Sequence, residues 1–175
     1  MSIITGRGDD GETDLLFGRR IAKTALRMEA LGAVDELNSA LGLARAAGTD
    51  GEIEAVIDGV QSKLVGLMGQ LACLPQDAAR YQVAGFVPMT AEDVEWLVGF
   101  ARVFEERGVK FTGWARPGAE GSLARAALDF ARTVARRAER AILALHESGE
   151  EVPVTVRLFF NRVSDIFWIM ARSDG

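Results

Sequence analysis

An uninterrupted helical stretch from Ala124 to His146 constrains the fold more than any other part of this sequence. It contains no glycine or proline, and its residue types all tolerate a helix. Apolar residues recur along it at alternating spacings of three and four, which places them on one continuous face. These residues are Leu128, Ala131, Ala135, Ala138, Ile142 and Leu145. The stretch is therefore predicted to be a long amphipathic helix that packs against other helices.

A second face of the same helix is cationic. Arg132, Arg136, Glu139 and Arg140 are also three and four residues apart, so their side chains project from one side. Like charges stacked on one helix face cost about 0.2–0.5 kcal/mol per pair, and Glu139 is the only acid nearby on that face. A solvated charged surface is the ordinary explanation of such a row. Its position beside an alanine-lined face favours instead a site that binds an anionic ligand.

The composition excludes several classes of function. A length of 175 residues favours a single domain, and a formal net charge of −5 argues against nucleic-acid binding. The single cysteine, Cys73, excludes an intrachain disulfide and favours a reducing compartment, so we expect a cytoplasmic protein. The single histidine, His146, excludes zinc and di-iron sites built on several histidines, and we expect no metal ligated by the protein. We expect no signal peptide and no membrane span, because no apolar run reaches about 20 residues.

The first 24 residues have the composition of a loop. Residues 6–14 read GRGDDGETD, in which glycines permit positive φ and Asp and Thr side chains can bond to the backbone. The run matches G-x-G-x-x-G, but the dinucleotide-binding fingerprint needs a preceding strand and a βαβ unit, which this chain does not indicate. A glycine-rich backbone can still form a nest of N–H groups that binds an anion. With Arg19, Arg20 and Lys23 following closely, the segment is either such a site or a flexible basic arm.

Five amphipathic helices and no convincing strand are predicted. Besides the first stretch, apolar periodicity predicts helices over about residues 27–47, 51–74, 90–108 and from Pro153 onward. Residues 75–89 are a long connection that crosses the bundle or covers a pocket. Residues 109–121 form a loop whose aromatic residues, Phe111 and Trp114, cap the core or line a ligand pocket. The predicted fold class is all-α: a five-helix bundle, like a four-helix bundle with left-handed up-down packing, over residues 25–172 of a single domain spanning 1–175.

Three separated blocks of the sequence resemble one family. They are ITGRGDDGETDLLFGRRIAK at residues 4–23, EALGAVDELNSALG at 29–42, and the pair LDFARTVARRAER and FFNRVSDIFWIMAR at 128–140 and 159–172. Together they resemble the PduO-type ATP:corrinoid adenosyltransferases, which act on cob(I)alamin and cob(I)yrinic acid a,c-diamide. The resemblance implies a homotrimer of five-helix bundles with active sites between subunits. It also implies the reaction, in which Co(I) of a reduced corrinoid attacks the 5′ carbon of ATP and triphosphate leaves.

The resemblance assigns residues to the nucleotide. The N-terminal loop would wrap ATP with its amides directed at the phosphates, and Lys23 would act as a catalytic residue together with Arg136. In the helix, arginines would grip phosphate oxygens and Glu139 would hold the sugar. The full ATP set is Thr5, Gly6, Arg7, Gly8, Thr13, Asp14, Lys23, Arg136, Arg137, Glu139, Arg140 and Asn161. Mg²⁺ would bridge the phosphates and take mostly phosphate and water oxygens, so no protein cage is expected.

The resemblance also implies residues for the corrinoid and for assembly. The family has an aromatic residue before a Pro-Gly loop, which keeps cobalt free of its lower ligand and so eases reduction to Co(I). Counting back from Pro117 gives this role to Trp114, with Phe111 as the alternative. Asp35 and Arg132 resemble the family's intersubunit ion pair at the site. An electron-donating reductase and an adenosylcobalamin-dependent acceptor enzyme are the further expected partners.

A second function remains open from another class: a carrier or sensor that binds ATP or corrinoid without turnover. The presence of Lys23, Arg136, Glu139 and Asn161 together favours catalysis, because a carrier would not need the whole phosphate-binding set.

Overall fold

The computed structural model describes residues 4–109 and 113–173. Its strands are Glu12–Asp14 (β1) and Arg20–Ala22 (β2), and its helices are Leu26–Ala46 (α1), Gly51–Leu71 (α2), Ala78–Val83 (α3), Ala91–Glu106 (α4), Leu123–Glu147 (α5) and Val154–Met170 (α6). Short 3-10 turns at Leu16–Gly18 and Pro75–Asp77 precede β2 and α3. The predicted all-α fold class is confirmed: the described part of the chain is a bundle of five long helices with one short helix added. No helix in that part is long and apolar enough to cross a membrane.

Helix α5 lies at the centre of the bundle, between α1 and α6. Every residue of its predicted apolar face is buried, from Leu128 to Leu145. Alanine at three of those positions lets the neighbouring backbones approach, and large side chains from α6 such as Phe159 and Phe160 fill the remaining space. Burying each large apolar side chain contributes about 1.5–3 kcal/mol. The apolar periodicity of α5 therefore correctly predicts which of its faces lies in the core.

Contacts at the two ends of α1 show that α1 and α2 are antiparallel. The buried Arg27 near the start of α1 donates to the carbonyl of Leu71 at the end of α2, at 2.6 Å. Arg45 near the other end of α1 pairs with Asp58 in the first half of α2, at 2.7 Å. The end of the bundle that holds Arg27 is called the hairpin end below, because the β-hairpin also lies there.

The remaining long helices continue the alternation. Thr155 at the start of α6 donates to the carbonyl of Met89, just before α4. The N–H of Met89 donates to Gln70 near the end of α2, so both helices start at the hairpin end. Arg172, just after α6, binds Asp129 in the first turns of α5, so α5 and α6 are antiparallel. The five long helices therefore follow the predicted up-down order, with α3 and its flanking turns joining α2 to α4.

The structure corrects the expectation that the chain has no strands. Residues 12–14 pair with residues 20–22 in antiparallel register, with Thr13 opposite Ile21. Between them Phe17 and Gly18 adopt the left-handed conformation, with φ of 61° and 74°, which reverses the chain. Periodicity could not show this hairpin, because three residues per strand are too few for an apolar–polar alternation to be recognised.

Candidate active site

A cavity of about 630 Å³ opens between α4, α5, α6 and the loop that precedes α5. Its volume lies in the range of small-molecule sites. The residues that line it are Glu105, Val109, Gly113, Trp114, Ala115, Pro117, Arg132, Arg136, Ser164, Asp165, Trp168, Ile169 and Arg172. The cavity therefore brings together the aromatic residue and two of the arginines that the sequence singled out.

Trp114 projects from the loop at the cavity wall. It follows Gly113, whose φ of 124° only glycine adopts readily, and Trp114 is 95% exposed as a residue. An exposed indole beside a cavity offers a flat apolar surface to a ligand. Phe111, the alternative aromatic residue, lies outside the described residues.

A buried carboxylate behind the cavity wall binds two of the arginines that line the cavity. Asp129 is 5% exposed and accepts a hydrogen bond from Nε of Arg132 at 3.2 Å. It also accepts two bonds from Arg172, both at 3.1 Å. Arg172 in turn lies 4.5 Å from the ring centre of Trp168 and donates to its carbonyl. Asp129 thus orients two cations and, through Arg172, an aromatic ring of the cavity wall.

Sequence reasoning missed Asp129 and Arg172 as parts of the site. The spacing of Asp129 and Arg132 in one helix was a signal that could have been used, because residues three apart are neighbours on a helix surface. Arg172 had no such signal, because its partner lies 43 positions away in the chain.

Arg136 is exposed at the cavity and faces an acidic group on α6. Desolvation raises the pKa of the Asp165 carboxyl above its usual value; the positive charges of Arg162 and Arg136 oppose the rise, and Glu139 adds to it. A carboxyl with a raised pKa beside an arginine in a cavity is typical of functional sites. The sequence had assigned Asp165 no role in binding.

Two further residues of the predicted ATP set meet across α5 and α6. Asn161 donates from Nδ2 to Oε1 of Glu139 at 3.3 Å, and Arg162 donates to Oδ1 of Asn161. Arg137 faces away from this pair, because it forms an ion pair with Glu36 of α1. Arg140 is exposed one turn beyond Arg136. The arginines of α5 therefore face two sides: Arg136 lines the cavity, and Arg137 contacts α1.

The N-terminal residues of the predicted ATP set form a compact loop on the β-hairpin. Lys23 donates from Nζ to the carbonyl of Gly8 at 2.6 Å, and its backbone N–H donates to Gly11 at 2.9 Å. Arg7 pairs with Asp14 at 3.1 Å, and its N–H donates to Oγ1 of Thr5 at 3.4 Å. Gly6 accepts a hydrogen bond from the N–H of Asp9, and Thr13 lies half-buried in β1.

Three of the four acids of this loop are engaged by one arginine. Arg20 of β2 binds Glu12 and Asp14 of β1, and Asp10 just before β1. Within residues 4–109 and 113–173, no three His, Cys, Asp or Glu side chains stand close enough to hold a metal ion.

The two parts of the predicted ATP set lie on different parts of the bundle. The hairpin meets the bundle through Ala72 and Asp77, at the hairpin end. The cavity lies towards the opposite end, where α6 finishes, and α5 advances about 16 Å from Arg136 to its end at Glu147. Asp35 is exposed on α1, so its predicted pairing with Arg132 across subunits stays a prediction.

Comparison with known proteins identifies the family of the chain. Residues 3–174 match the family model described as cobalamin adenosyltransferase. This chain belongs to that family. The resemblance seen in the three sequence blocks is thereby confirmed.

Two relatives of this chain show how far the similarity extends. The corrinoid adenosyltransferase of Bacillus subtilis (strain 168) is 36% identical over 176 residues, which cover 98% of this chain and 86% of the relative. The corrinoid adenosyltransferase PduO of Salmonella typhimurium is 33% identical over 177 residues, which cover 99% of this chain. The chain spans only 50% of the length of that second relative.

Solved structures extend the similarity to the whole fold. A variant PduO-type ATP:corrinoid adenosyltransferase from Lactobacillus reuteri, complexed with cobalamin and ATP, matches with a TM-score of 0.87 at 28% identity, covering 98% of this chain and 92% of that one. A second variant from the same organism, complexed with ATP, matches with a TM-score of 0.83 and covers 97% and 92% of the two chains.

Proposed function

We propose that this chain is an ATP:corrinoid adenosyltransferase. It transfers the 5′-deoxyadenosyl group of ATP to Co(I) of a reduced corrinoid, either cobalamin or cobyrinic acid a,c-diamide, and releases triphosphate in adenosylcobalamin synthesis. The observation that carries the proposal is the meeting of Arg136, Arg132 and Trp114 at one cavity, in a chain of the cobalamin adenosyltransferase family.

The reaction places two demands on the protein. Co(I) supplies the electron pair of the new Co–C bond, and the bond between C5′ and oxygen breaks with its electrons leaving on triphosphate. The protein must therefore hold the 5′ carbon in line with cobalt and stabilise a polyanion as its charge develops. Arg136 and Lys23 are the catalytic residues in this proposal, because both are cations that can contact phosphate oxygens.

The remaining residues of the ATP set would hold the nucleotide. The backbone of Thr5 to Gly8 with Thr13 and Asp14 would surround the phosphates, and Arg137 and Arg140 would add positive charge. Glu139 and Asn161, which already contact each other, would bind the ribose. Arg20 engages three of the four loop acids, Asp10, Glu12 and Asp14, so we assign Mg²⁺ no protein ligand and expect it to arrive on the phosphates of ATP.

The corrinoid would bind at the cavity with its lower face against an aromatic ring. Trp114 is the residue we assign, because its indole is exposed beside the cavity and precedes the Pro-Gly pair. An apolar ring there keeps cobalt free of its lower ligand, which makes Co(II) easier to reduce. Phe111 remains the alternative. A reductase supplies the electron, an adenosylcobalamin-dependent enzyme takes the product, and both partners fit a cytoplasmic location.

We further propose that the active enzyme is a homotrimer whose sites lie between subunits. The separation of the hairpin from the cavity within one chain supports this arrangement, because a neighbouring subunit could bring its hairpin to the cationic face of α5. In this assembly Asp129 would hold Arg132 through Nε, and the terminal nitrogens of Arg132 would pair with Asp35 of a neighbouring subunit.

An anaerobic assay tests the proposal. Chemically reduced cobalamin is mixed with MgATP and the protein, and the Co(I) absorption band is followed as adenosylcobalamin forms. We expect Arg136→Ala to lower turnover by about 100-fold or more, as loss of one transition-state contact does, without changing the oligomer. Arg45→Ala is the matched control and should keep full activity, since Arg45 forms ion pairs with Asp58 and Glu54 of α2, and neither α1 nor α2 lines the cavity. Tight ATP binding by the unchanged protein without any conversion would favour the carrier function instead.

A further inference from the structure

We propose that Asp77 is a positioning residue for ATP: it fixes the β-hairpin to the bundle and thereby sets the affinity of the N-terminal loop for the nucleotide. The inference rests on the proposed function. It gives a role to a residue outside both the cavity and the loop, which no motif of the sequence indicated.

Asp77 is a buried carboxylate held by two arginines. Its side chain is 2% exposed and receives Nε of Arg19 at 2.6 Å and Nη2 of Arg19 at 3.0 Å. Arg80 adds a third bond at 3.4 Å. Paired, parallel bonds from a guanidinium to a carboxylate restrict the geometry of both groups and are among the stronger hydrogen bonds in proteins. Arg19 comes from the hairpin and Asp77 from the connection after α2, so the pair joins two parts of the chain 58 positions apart.

Two further contacts hold the same turn against the same connection. The guanidinium of Arg80 lies 4.4 Å from the ring centre of Phe17, the residue whose φ is 61°. The N–H of Leu16 donates to the carbonyl of Ala72 at 3.1 Å. We call Phe17, Arg19, Asp77 and Arg80 the hairpin anchor. Asp77 is its centre, because both arginines of the anchor bind its carboxylate.

The hairpin transmits the position of this anchor to the ATP loop. β1 and β2 extend from the anchored turn and pair in register. Lys23 follows β2 directly, and its ammonium donates to the carbonyl of Gly8 in the ATP loop. A two-stranded ribbon of this length is marginally stable alone, so its orientation depends on its attachment to the bundle. When the attachment loosens, the loop must lose more conformational freedom on binding ATP, and its affinity falls. The corrinoid cavity is built from α4, α5 and α6 and does not depend on the anchor.

The substitution Asp77→Asn tests this inference, because it keeps the shape of the side chain and removes its charge. We expect the KM and the Kd for ATP to rise about tenfold, within the range lost with one hydrogen bond to a charged group. The kcat at saturating ATP and the KM for the corrinoid should stay within about twofold. Amide hydrogen exchange at Leu15, Leu16 and Lys23 should accelerate in the free protein, whereas exchange in α5 should not.

Asp58→Asn is the matched control. Asp58 also receives Nε and Nη2 of one arginine, Arg45, at 2.7 and 3.3 Å, but this pair joins α1 and α2 away from the hairpin. The control should change neither ATP affinity nor exchange in the hairpin. Arg19→Gln should reproduce the effect of Asp77→Asn, and the double variant should be no worse than either single one.

Three results would overturn the inference. One is a lower melting temperature of Asp77→Asn with unchanged ATP affinity, which would give Asp77 a role in stability alone. Another is an equal rise in the KM for ATP and corrinoid, which would indicate general loosening of the fold. The third is unchanged hydrogen exchange in the hairpin. Calorimetry measures ATP binding without turnover, so it tests this inference separately from the proposed function. A chain that binds ATP through its anchored hairpin but transfers no adenosyl group would contradict the proposed function and would leave this inference intact.

Discussion

At the scale of single residues, the contact of the Lys23 ammonium with the backbone of Gly8 explains why position 8 is a glycine. A Cβ built on Gly8 would lie 2.7 Å from Nζ and 3.0 Å from Cε of Lys23, and 3.2 Å from the carbonyl oxygen of Glu12. The backbone of Gly8 does not lie in the left-handed region, so the requirement is for space and not for conformation. The absence of one methyl group therefore keeps the ammonium of Lys23 on the loop.

We expect Gly8→Ala to displace the side chain of Lys23 and to weaken ATP binding about tenfold, which corresponds to 1.4 kcal/mol. Isothermal titration with MgATP measures the change. Gly32→Ala is the matched control: Gly32 lies exposed in α1 with no atom within 4 Å of an added Cβ. It should leave ATP binding unchanged and raise the free energy of unfolding by about 0.5–1 kcal/mol. Unchanged ATP affinity in Gly8→Ala would show that the loop does not place Lys23.

At the scale of elements, the residues that cap the start of α4 also join α4 to α2. Oγ1 of Thr90 accepts from the N–H of Asp93, and the Asp93 carboxylate accepts from the N–H of Thr90 at 2.8 Å. These two reciprocal bonds form a capping box. Lys63 of α2 donates to the same carboxylate and also lies 4.8 Å from the ring centre of Trp96. One acid therefore serves both as cap and as ion-pair partner.

The charge of Asp93 should make stability depend on pH. Burial raises the pKa of Asp93, but the hydrogen bonds from Lys63 and Thr90 together outweigh it and hold this pKa below the usual value. An acid whose pKa is lower in the folded state stabilises the fold above its unfolded pKa of about 3.9, and this contribution is lost as pH falls through the folded value.

Melting curves between pH 7 and 2 test this expectation. Asp93→Asn should be less stable than the unchanged protein by about 1 kcal/mol at pH 7, and the difference should shrink below pH 4. Glu95→Gln, which changes an exposed acid of the same helix, should stay within about 0.5 kcal/mol at pH 7. A constant difference between Asp93→Asn and the unchanged protein across this range would contradict the assignment.

At the scale of the whole molecule, the hairpin and the cavity are separated within one chain. The anchored turn belongs to the end where α2 finishes, and the cavity to the part where α6 finishes. The proposed reaction needs the nucleotide beside the corrinoid. The proposed assembly, in which a neighbouring subunit brings its hairpin to the cavity, would meet this need.

We expect a trimer in solution, with three times the chain mass of 18.9 kDa by light scattering. Asp35→Ala should shift the protein towards smaller species at low concentration and weaken corrinoid binding, with unchanged circular dichroism. Glu36→Ala is the matched control, because Glu36 forms its ion pair with Arg137 inside the chain. Its loss should cost at most about 1 kcal/mol of stability and leave the mass unchanged. A monomer that turns over at full rate would contradict the intersubunit site.

By itself, the sequence determined the long helices, the α5 apolar face and the membership of the family. These features are local, because the spacing of apolar residues along one helix depends on which side is buried, whatever the partner. The N-terminal motif and the arginine block could also be recognised in the sequence, since each lies within a short run of residues. The hairpin could not be predicted, because its strands are too short to show an alternation of apolar and polar residues.

Only the tertiary structure decided which partner each charged group meets. Arg136 and Arg137 are adjacent in sequence, yet one faces the cavity and the other binds Glu36, because neighbouring positions on a helix point in directions about 100° apart. Asp129 with Arg172, and Arg19 with Asp77, join residues 43 and 58 positions apart. Such pairs depend on how whole helices and the hairpin are placed, and no periodicity within one element contains that information.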